Sequence, residues 1–540
     1  MMRHRGKDKP EAVTLPVPPL GPYQAADVPG ERRRAAQLAE RHGIPLVDLW
    51  KVTPEAEATA LIDEHTARAL TALPLAVREG EVIVVLADPT LGTQIQDALR
   101  RPVRLALAAA PDIVQAIDNN FRALAGIDES VKLFQARGTA LEPDELVVNE
   151  DAPVVQVVQL VITQGLRDRA SDIHIEPHDD RVRVRFRVDG ALRDQLDLPG
   201  AIGPAVVSRI KVLADLNIVE RRRSQDGQIR MHVEGRDVDI RVSTAAVVGG
   251  EKVVLRLLDK SRPLFRLEQL GMPPELAERY AALLRTPYGM VISAGPTGSG
   301  KTTTLYGSLG EIDSPERNIM TIEDPVEYSY ASINQIQINE AAGITFASGL
   351  KSILRQDPDV ILVGEIRDAE TARIAVQSAL TGHLVLSSVH ATDTATALHR
   401  LLDMGIETFL VASSVSAVIS QRLIRKVCEN CREYYEPPAA EQAFLRATGA
   451  EVPIGGLVRG AGCNFCAHTG YLERTGVYEL LPVTDPIREL VVDRAPLAEI
   501  RKVACYEGMR TLHEEGARLA QTGVTTVAEV LRSIYTVGMR

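Results

Sequence analysis

The sequence predicts a multidomain α/β protein whose C-terminal half is a parallel-sheet domain that holds a nucleotide. Three observations predict it. The run Gly295-Pro296-Thr297-Gly298-Ser299-Gly300-Lys301-Thr302 sits between the apolar segment Met290-Val291-Ile292-Ser293 and the helix-like Thr303-Thr304-Leu305-Tyr306. That order is strand, glycine loop, helix, which is what a phosphate-binding loop needs. From about Met272 onward, apolar runs alternate with helix-period segments, as expected where a parallel sheet is covered on both faces. Upstream, Val182-Arg183-Val184-Arg185-Phe186-Arg187-Val188 alternates strictly, as a half-buried strand with a basic face does.

The loop binds phosphate through geometry. Its glycines let successive backbone N–H groups turn inward, and the following helix N-terminus adds positive potential. The pattern gives Lys301 to the β- and γ-phosphates and the Thr302 hydroxyl to Mg²⁺, with Thr303 in the same first turn. The chain is therefore expected to bind ATP.

Residues 1–30 read as a disordered tail, with Pro16, Pro18, Pro19 and Pro22 in a polar, aperiodic stretch. Residues 31–125 read as a small α/β unit containing the strand Glu81–Leu86 and a helix over Thr90–Leu99. The acidic span 126–151 reads as a linker. A middle domain over 152–271 opens with an amphipathic helix through Leu166. It contains the alternating strand, turned by Asp189-Gly190, and the further runs Val238–Val242 and Val253–Leu257. Residues 272–540 form the nucleotide-binding domain, with an insertion over 425–470.

Composition narrows the function classes. The chain of 540 residues is 45% hydrophobic and 25% charged but only 4% aromatic, so its cores rest on Leu, Val, Ile and Ala. A net charge of −11 argues against a surface built to grip nucleic-acid backbone. The basic start Met1–Lys7 runs into Pro10 and Glu11, where a secretory signal would be apolar. No run approaches the ~18 apolar residues that span a bilayer. The expected location is cytoplasmic, with any membrane association indirect, through a partner.

Beyond the loop, Ile319-Met320-Thr321-Ile322-Glu323-Asp324-Pro325-Val326-Glu327 is a short strand ending in carboxylates. Asp359–Glu365 is a second, ending in Glu365 after Gly364, where an Asp is commoner. His383–Val389 is a third, ending in His390. Strand C-termini of a parallel sheet face the ligand crevice, so Glu323, Glu365 and His390 form one expected catalytic constellation. Asp324 and Glu327 fit capping as well as chemistry, and His383 fits a core position equally. Cys428, Cys431, Cys463 and Cys466 make two C-x-x-C knuckles. Four soft ligands close a tetrahedral structural Zn²⁺ site, whereas a disulfide suits a cytosolic chain poorly. Cys505 reads as a small core residue. Phosphoryl transfer also needs extra positive charge, often from a neighbour. Arg221, Arg222, Arg223, Arg185, Arg241 and Arg256 compete for that role.

These residues carry a resemblance over most of the chain. Ala170-Ser171-Asp172-Ile173-His174-Ile175-Glu176-Pro177, Glu220-Arg221-Arg222 with Gln225-Asp226-Gly227, Arg241-Val242-Ser243-Thr244 and Gly250–Arg256 are similar to the type II secretion ATPase family, itself related to type IV pilus assembly ATPases. The phosphate loop, the box around Glu323, Leu354–Asp359 running into Glu365, and Gly382–His390 continue it.

The resemblance implies a homohexamer whose ATP lies between a PAS-like domain and a RecA-like domain. It assigns Lys301 and Thr302 to phosphate and Mg²⁺, Glu323 and Glu365 to hydrolysis and metal, and Arg222 and Arg241 as residues that approach the nucleotide. It implies inner-membrane adaptor and platform proteins as partners, with no direct nucleic-acid contact. The tetracysteine insertion points to secretion or pilus extension, and its short inter-knuckle gap leans toward secretion. The N-terminal unit resembles the family's adaptor-docking domain near His42-Gly43-Ile44-Pro45 and Ala87-Asp88-Pro89, without the paired Arg-Leu-Gly signatures of relatives that bind cyclic dinucleotides. Glu473 stands where relatives often have Gly. A nucleic-acid translocase is opposed by the acidic balance and scarce aromatics, and a nucleotide-gated scaffold by the pair Glu323 and Glu365.

Overall fold

The computed structural model describes residues 28–534 apart from 50, 53, 122–123, 125–126, 138–151, 234–235 and 260–265. The chain divides into two compact units, residues 1–259 and 260–540. The expected tail lies outside the described residues as far as residue 27, after which a helix spans Val28–His42.

The first unit begins with a small sheet of β1 (Ala72–Arg78), β2 (Glu81–Leu86) and β3 (Val103–Leu107). β2 pairs antiparallel with β1 and parallel with β3. The helix expected from Thr90 starts as a 3₁₀ turn over Pro89–Leu91, where Asp88 accepts the Thr90 N–H, and continues as Gly92–Leu99.

The segment expected as a linker behaves differently in its first half. Residues Ile127–Arg137 form a helix, and Ile127, Val131 and Phe134 are buried in the core of the following domain. Their spacing of four and three residues is a helical stripe that the acidic neighbours Asp128 and Glu129 obscure in the sequence. Residues 138–151 of that expected linker lie outside the described residues.

Strands β4 (Asp172–Pro177), β5 (Arg181–Val188), β6 (Ala191–Pro199), β7 (Gln225–Val233), β8 (Arg236–Val247) and β9 (Gly250–Asp259) form a sheet in the order β6-β5-β4-β9-β8-β7. Every neighbouring pair is antiparallel. The alternation in β5 works as read: Val182, Val184 and Phe186 turn into a core shared with helices Pro153–Arg167 and Gly203–Leu213. The arginines between them stay on the wetter face.

The second unit carries β10 (Gly289–Ala294), β11 (Ile319–Glu323), β12 (Asn334–Gln337), β13 (Val360–Val363), β14 (Leu384–Val389), β15 (Val415–Val427), the short β16 (Arg432–Tyr435) and β17 (Leu457–Gly460), and β18 (Tyr471–Pro482). Its main sheet has the order β12-β11-β13-β14-β10-β15-β18. All pairings are parallel except β15 with β18. β10, β11 and β14 are buried at every position because helices cover both faces, which is why they read as unbroken apolar runs. One core layer gathers Ile292, Val363, Val385 and Leu398; the other gathers Tyr280, Val291, Leu305 and Leu386. The strand order puts the C-termini of β13, β14 and β10 side by side, and the site is built on that edge.

Candidate active site and metal centre

The phosphate loop leaves β10 at Ala294 and enters the helix Lys301–Ile312. Gly298 and Gly300 have φ of +76° and +89°, a region that penalises any side chain. A Cβ on Gly295 would meet Ser299 Oγ at 2.3 Å. The loop is this tight because Gln421 on β15 donates from Nε2 to Ser299 O at 2.8 Å. Helices starting after Thr345, Asp368, Asp393, Thr511 and Thr526 are capped by those side chains, whereas Gly300 offers none to the helix Lys301–Ile312. Its first N–H groups are left for an anion. Lys301 Nζ donates to Gly295 O at 2.9 Å and Pro296 O at 3.0 Å, so the ammonium lies against the loop. Burial pushes its pKa down, while Glu365 opposes that shift.

Glu365 follows β13 and His390 follows β14. The two meet, with His390 Nε2 3.4 Å from a Glu365 oxygen. Arg367 also contacts Glu365, and lies 3.7 Å from Asp324. Burial raises the Glu365 carboxyl, but Arg367, His390 and Lys301 outweigh it, and the group sits below the ordinary range. Glu365 is thus ionised at neutral pH beside the loop lysine. Arg367 was missed in the sequence, although its position two residues after Glu365 was the available signal.

Glu323 departs from expectation. It ends β11 but is only 3% exposed. Its carboxylate accepts from Tyr306 OH, from Thr321 Oγ1 at 2.6 Å and from Gln335 Nε2 at 3.1 Å. Tyr306 belongs to the phosphate-loop helix, its ring edge-on to Tyr328 and Tyr330 at 5.8 and 5.4 Å. A side chain so enclosed ties the loop helix to β11. His383 closes a turn, with Nδ1 3.0 Å from Ser378 O.

Among the arginines, two are spoken for. Arg185 bonds Glu176 at 2.9 Å and Arg256 bonds Asp172 at 3.0 Å. Arg241 lies on β8. Arg222 has a 92% exposed side chain, 3.9 Å from Glu220. Its loop is held from below: buried Lys211 donates to Glu220 O at 2.7 Å, and Gln225 donates to Asn217 O and Glu220 O, each at 3.0 Å.

The cysteines converge. Sγ–Sγ distances are 3.8 Å for Cys428–Cys463, 3.8 Å for Cys431–Cys466 and 3.7 Å for Cys463–Cys466. A disulfide needs about 2.05 Å, and a tetrahedron of ~2.3 Å metal–thiolate bonds has edges of about 3.8 Å. The four atoms lie within 4.8 Å of one another, as ligands of one ion must. Backbone N–H groups of Gly462 and Cys463 point at Cys431 and Cys466 Sγ, both at 3.2 Å, and stabilise negative sulfur. Cys505 is half-buried and packs against the larger core. Glu473 has φ +65°, a left-handed conformation that favours glycine.

A cation seated on a glycine loop, with an ionised acid two strands away on the same sheet edge, makes this a phosphate-loop ATPase, an enzyme that hydrolyses ATP. The model of the family described as Type II/IV secretion system protein matches residues 147–532, and the MshEN domain model matches 42–126. The chain belongs to the type II/IV secretion system protein family.

Among its relatives, Type II secretion system protein E of Xanthomonas campestris is 40% identical, covering 93% of this chain and 90% of that protein. Type II secretion system protein HxcR of Pseudomonas aeruginosa is 48% identical over 72% of this chain and 79% of its own. The type IV pilus assembly ATPase PilB of Thermus thermophilus is 41% identical over 92% of this chain, which spans only 57% of that relative. The Legionella pneumophila ATPase DotB shares the fold, with TM-score 0.51 and 20% identity over 69% of this chain and 93% of DotB.

Proposed function

We propose that the chain works as a hexameric ring that converts ATP hydrolysis into pseudopilus assembly for type II secretion. The observation that carries the chemistry is Glu365, held ionised beside His390 and the loop lysine. Backbone N–H groups of residues 295–300 and the uncapped helix turn bind the phosphates, with Lys301 exchanging its loop carbonyls for phosphate oxygens. Thr302 and Glu365 would hold Mg²⁺, which neutralises charge developing on the transferred phosphoryl group. Glu365 orients the attacking water and accepts its proton, and His390 steadies that carboxylate. Glu323 positions the loop helix through Tyr306.

The remaining assignments follow the family. Arg222, on its braced and exposed loop, and Arg241 supply charge to the nucleotide in the assembled ring. The four cysteines hold Zn²⁺ in a closed structural site. Among the described residues no helix is long and apolar enough to cross a membrane. The family relationship, not this absence, is the ground for assigning the chain adaptor and platform partners at the inner membrane.

The test is turnover per subunit against oligomeric state. Turnover should rise with the population of the ring, and a dilute monomer with full turnover would reject a site completed by neighbours. The 41% identity to a pilus assembly ATPase favours a second reading, pilus extension, and the membrane partner that co-purifies separates the two.

A further inference from the structure

The geometry points to Arg422 as a phosphate-binding residue of this same ATP site, supplied in cis by β15. The inference rests on reading the glycine loop as that site. β15 runs parallel to β10 with Ser420 opposite Ala294, so residues 421 and 422 continue along the edge where the loop turns away. Gln421 is committed to the loop through Ser299 O. Arg422 reaches the other way: it donates to Gln421 O at 2.8 Å and to Thr392 O at 2.7 Å, two residues beyond His390. Its guanidinium is therefore bracketed between the support of the loop and the strand end that carries the histidine.

Arg422 combines a guanidinium that is largely withdrawn from solvent with the lack of a counter-ion among the described residues. Arg425 and Arg518 in the same unit sit on Glu529 and Glu515 at 2.7 and 2.5 Å. Among the described residues Arg422 has no carboxylate within ion-pairing distance. The acids that it feels from further off are Glu479 and Asp393. Glu479 is already engaged by Thr394 N at 3.0 Å and Leu512 N at 3.1 Å. Asp393 is engaged by Thr396 N at 3.0 Å and Arg501 at 3.2 Å.

Burial consequently works against the Arg422 charge, and Arg422 in turn disfavours the charge on Lys301. Glu365 offsets part of that repulsion at Lys301, but Arg422 has no ion-pair partner of its own, and a phosphate oxygen that reaches its guanidinium would supply one. A guanidinium has five N–H donors, and the two carbonyls leave others for phosphate oxygens.

Calorimetric titration of the full-length protein with Mg·ATP and Mg·ADP tests this, using Arg422→Gln, Arg422→Lys and Lys301→Ala. Gln can still donate to a carbonyl, so it removes the charge with little change in the bracket. Arg422→Gln should bind ATP at least about 10-fold more weakly, as expected for one lost charge-assisted contact, with Lys recovering part. A larger loss for ATP than for ADP puts the contact on the terminal phosphate, and equal losses put it on the β-phosphate. The nucleotide-free Tm should stay at the wild-type value or rise.

Wild-type ATP affinity in Arg422→Gln overturns the proposal. So does a weakened affinity with an equal fall in nucleotide-free Tm and no rescue by Lys, which would mark a purely structural arginine. If Lys301→Ala binds ATP as wild type does, the reading of the loop itself fails. If only Arg422→Gln is silent, the loop stands and the arginine does not.

Discussion

Glu323 and Glu365 end neighbouring strands, and replacing each by Gln should separate position from chemistry. In Glu323→Gln a single amide oxygen and an NH₂ group face the three donors Tyr306 OH, Thr321 Oγ1 and Gln335 Nε2. At least one donor loses its acceptor, and a bond to a charged group is worth about 1.5–3 kcal/mol. The second unit, residues 260–540, unfolds with roughly 0.6 kcal/mol per degree at ~2.1 cal/mol/K per residue, so Tm should fall by roughly 3–5 °C. Turnover measured well below that Tm should stay within about 10-fold of wild type.

Glu365→Gln breaks contacts to Arg367 and His390, whose side chains are 59% and 53% exposed. Exposed pairs contribute at most about 1 kcal/mol, so Tm should move by under ~2 °C. Turnover should fall by ~100-fold or more with ATP binding retained, the loss of a general base. Tyr306→Phe should repeat the destabilisation of Glu323→Gln and not the kinetic defect. Differential scanning fluorimetry and steady-state phosphate release measure both quantities. If Glu323→Gln melts within 1 °C of wild type yet loses turnover as fully as Glu365→Gln, the enclosed-carboxylate argument is refuted.

Two further outcomes are expected. Cys463→Ser should lower metal content from about one zinc per chain to near zero after a chelator challenge, and amide exchange across 428–470 should speed up; unchanged zinc would contradict a tetrathiolate site. Burial raises the Glu529 carboxyl, but bonds from Arg532 and Arg425 hold it at about 2 instead of 4.5. With the folded value depressed, the stabilisation is complete above ~4.5 and is lost as pH falls toward 2. It amounts to about 3 kcal/mol for a side chain that is fully buried. Urea unfolding of Glu529→Gln should show that deficit at pH 7 and a much smaller one near pH 3, and a deficit constant with pH would exclude this origin.

Much of the fold was legible because its signals are local. β2 and β11 fall on the runs that announced them, and the alternation of β5 sorts its valines and arginines onto opposite faces. The helix Ile127–Arg137 was not legible, since its apolar stripe is short, flanked by acids, and acquires meaning only against the helix Pro153–Arg167. In the site, the loop and the cysteine knuckles were legible because their ligands are close in sequence. Gln421 and Arg422 were not, because β15 also carries Arg425 and Lys426 and the sequence does not say which of its polar side chains reach the loop.

By itself the sequence determined that a phosphate loop lies between strand and helix, that carboxylates and a histidine end other strands, and that four cysteines fall in two knuckles compatible with one metal. Backbone geometry at glycines and strand periodicity are properties of adjacent residues, and adjacency is what a sequence records. Only the tertiary structure decided which acid is enclosed and which lies open at the sheet edge. Tyr306 and Gln335, 17 residues before and 12 after Glu323, turn that carboxylate inward. His390 and Arg367 leave Glu365 charged at the edge. Which of two glutamates stays available depends on donors brought in from other elements, and that is a property of packing.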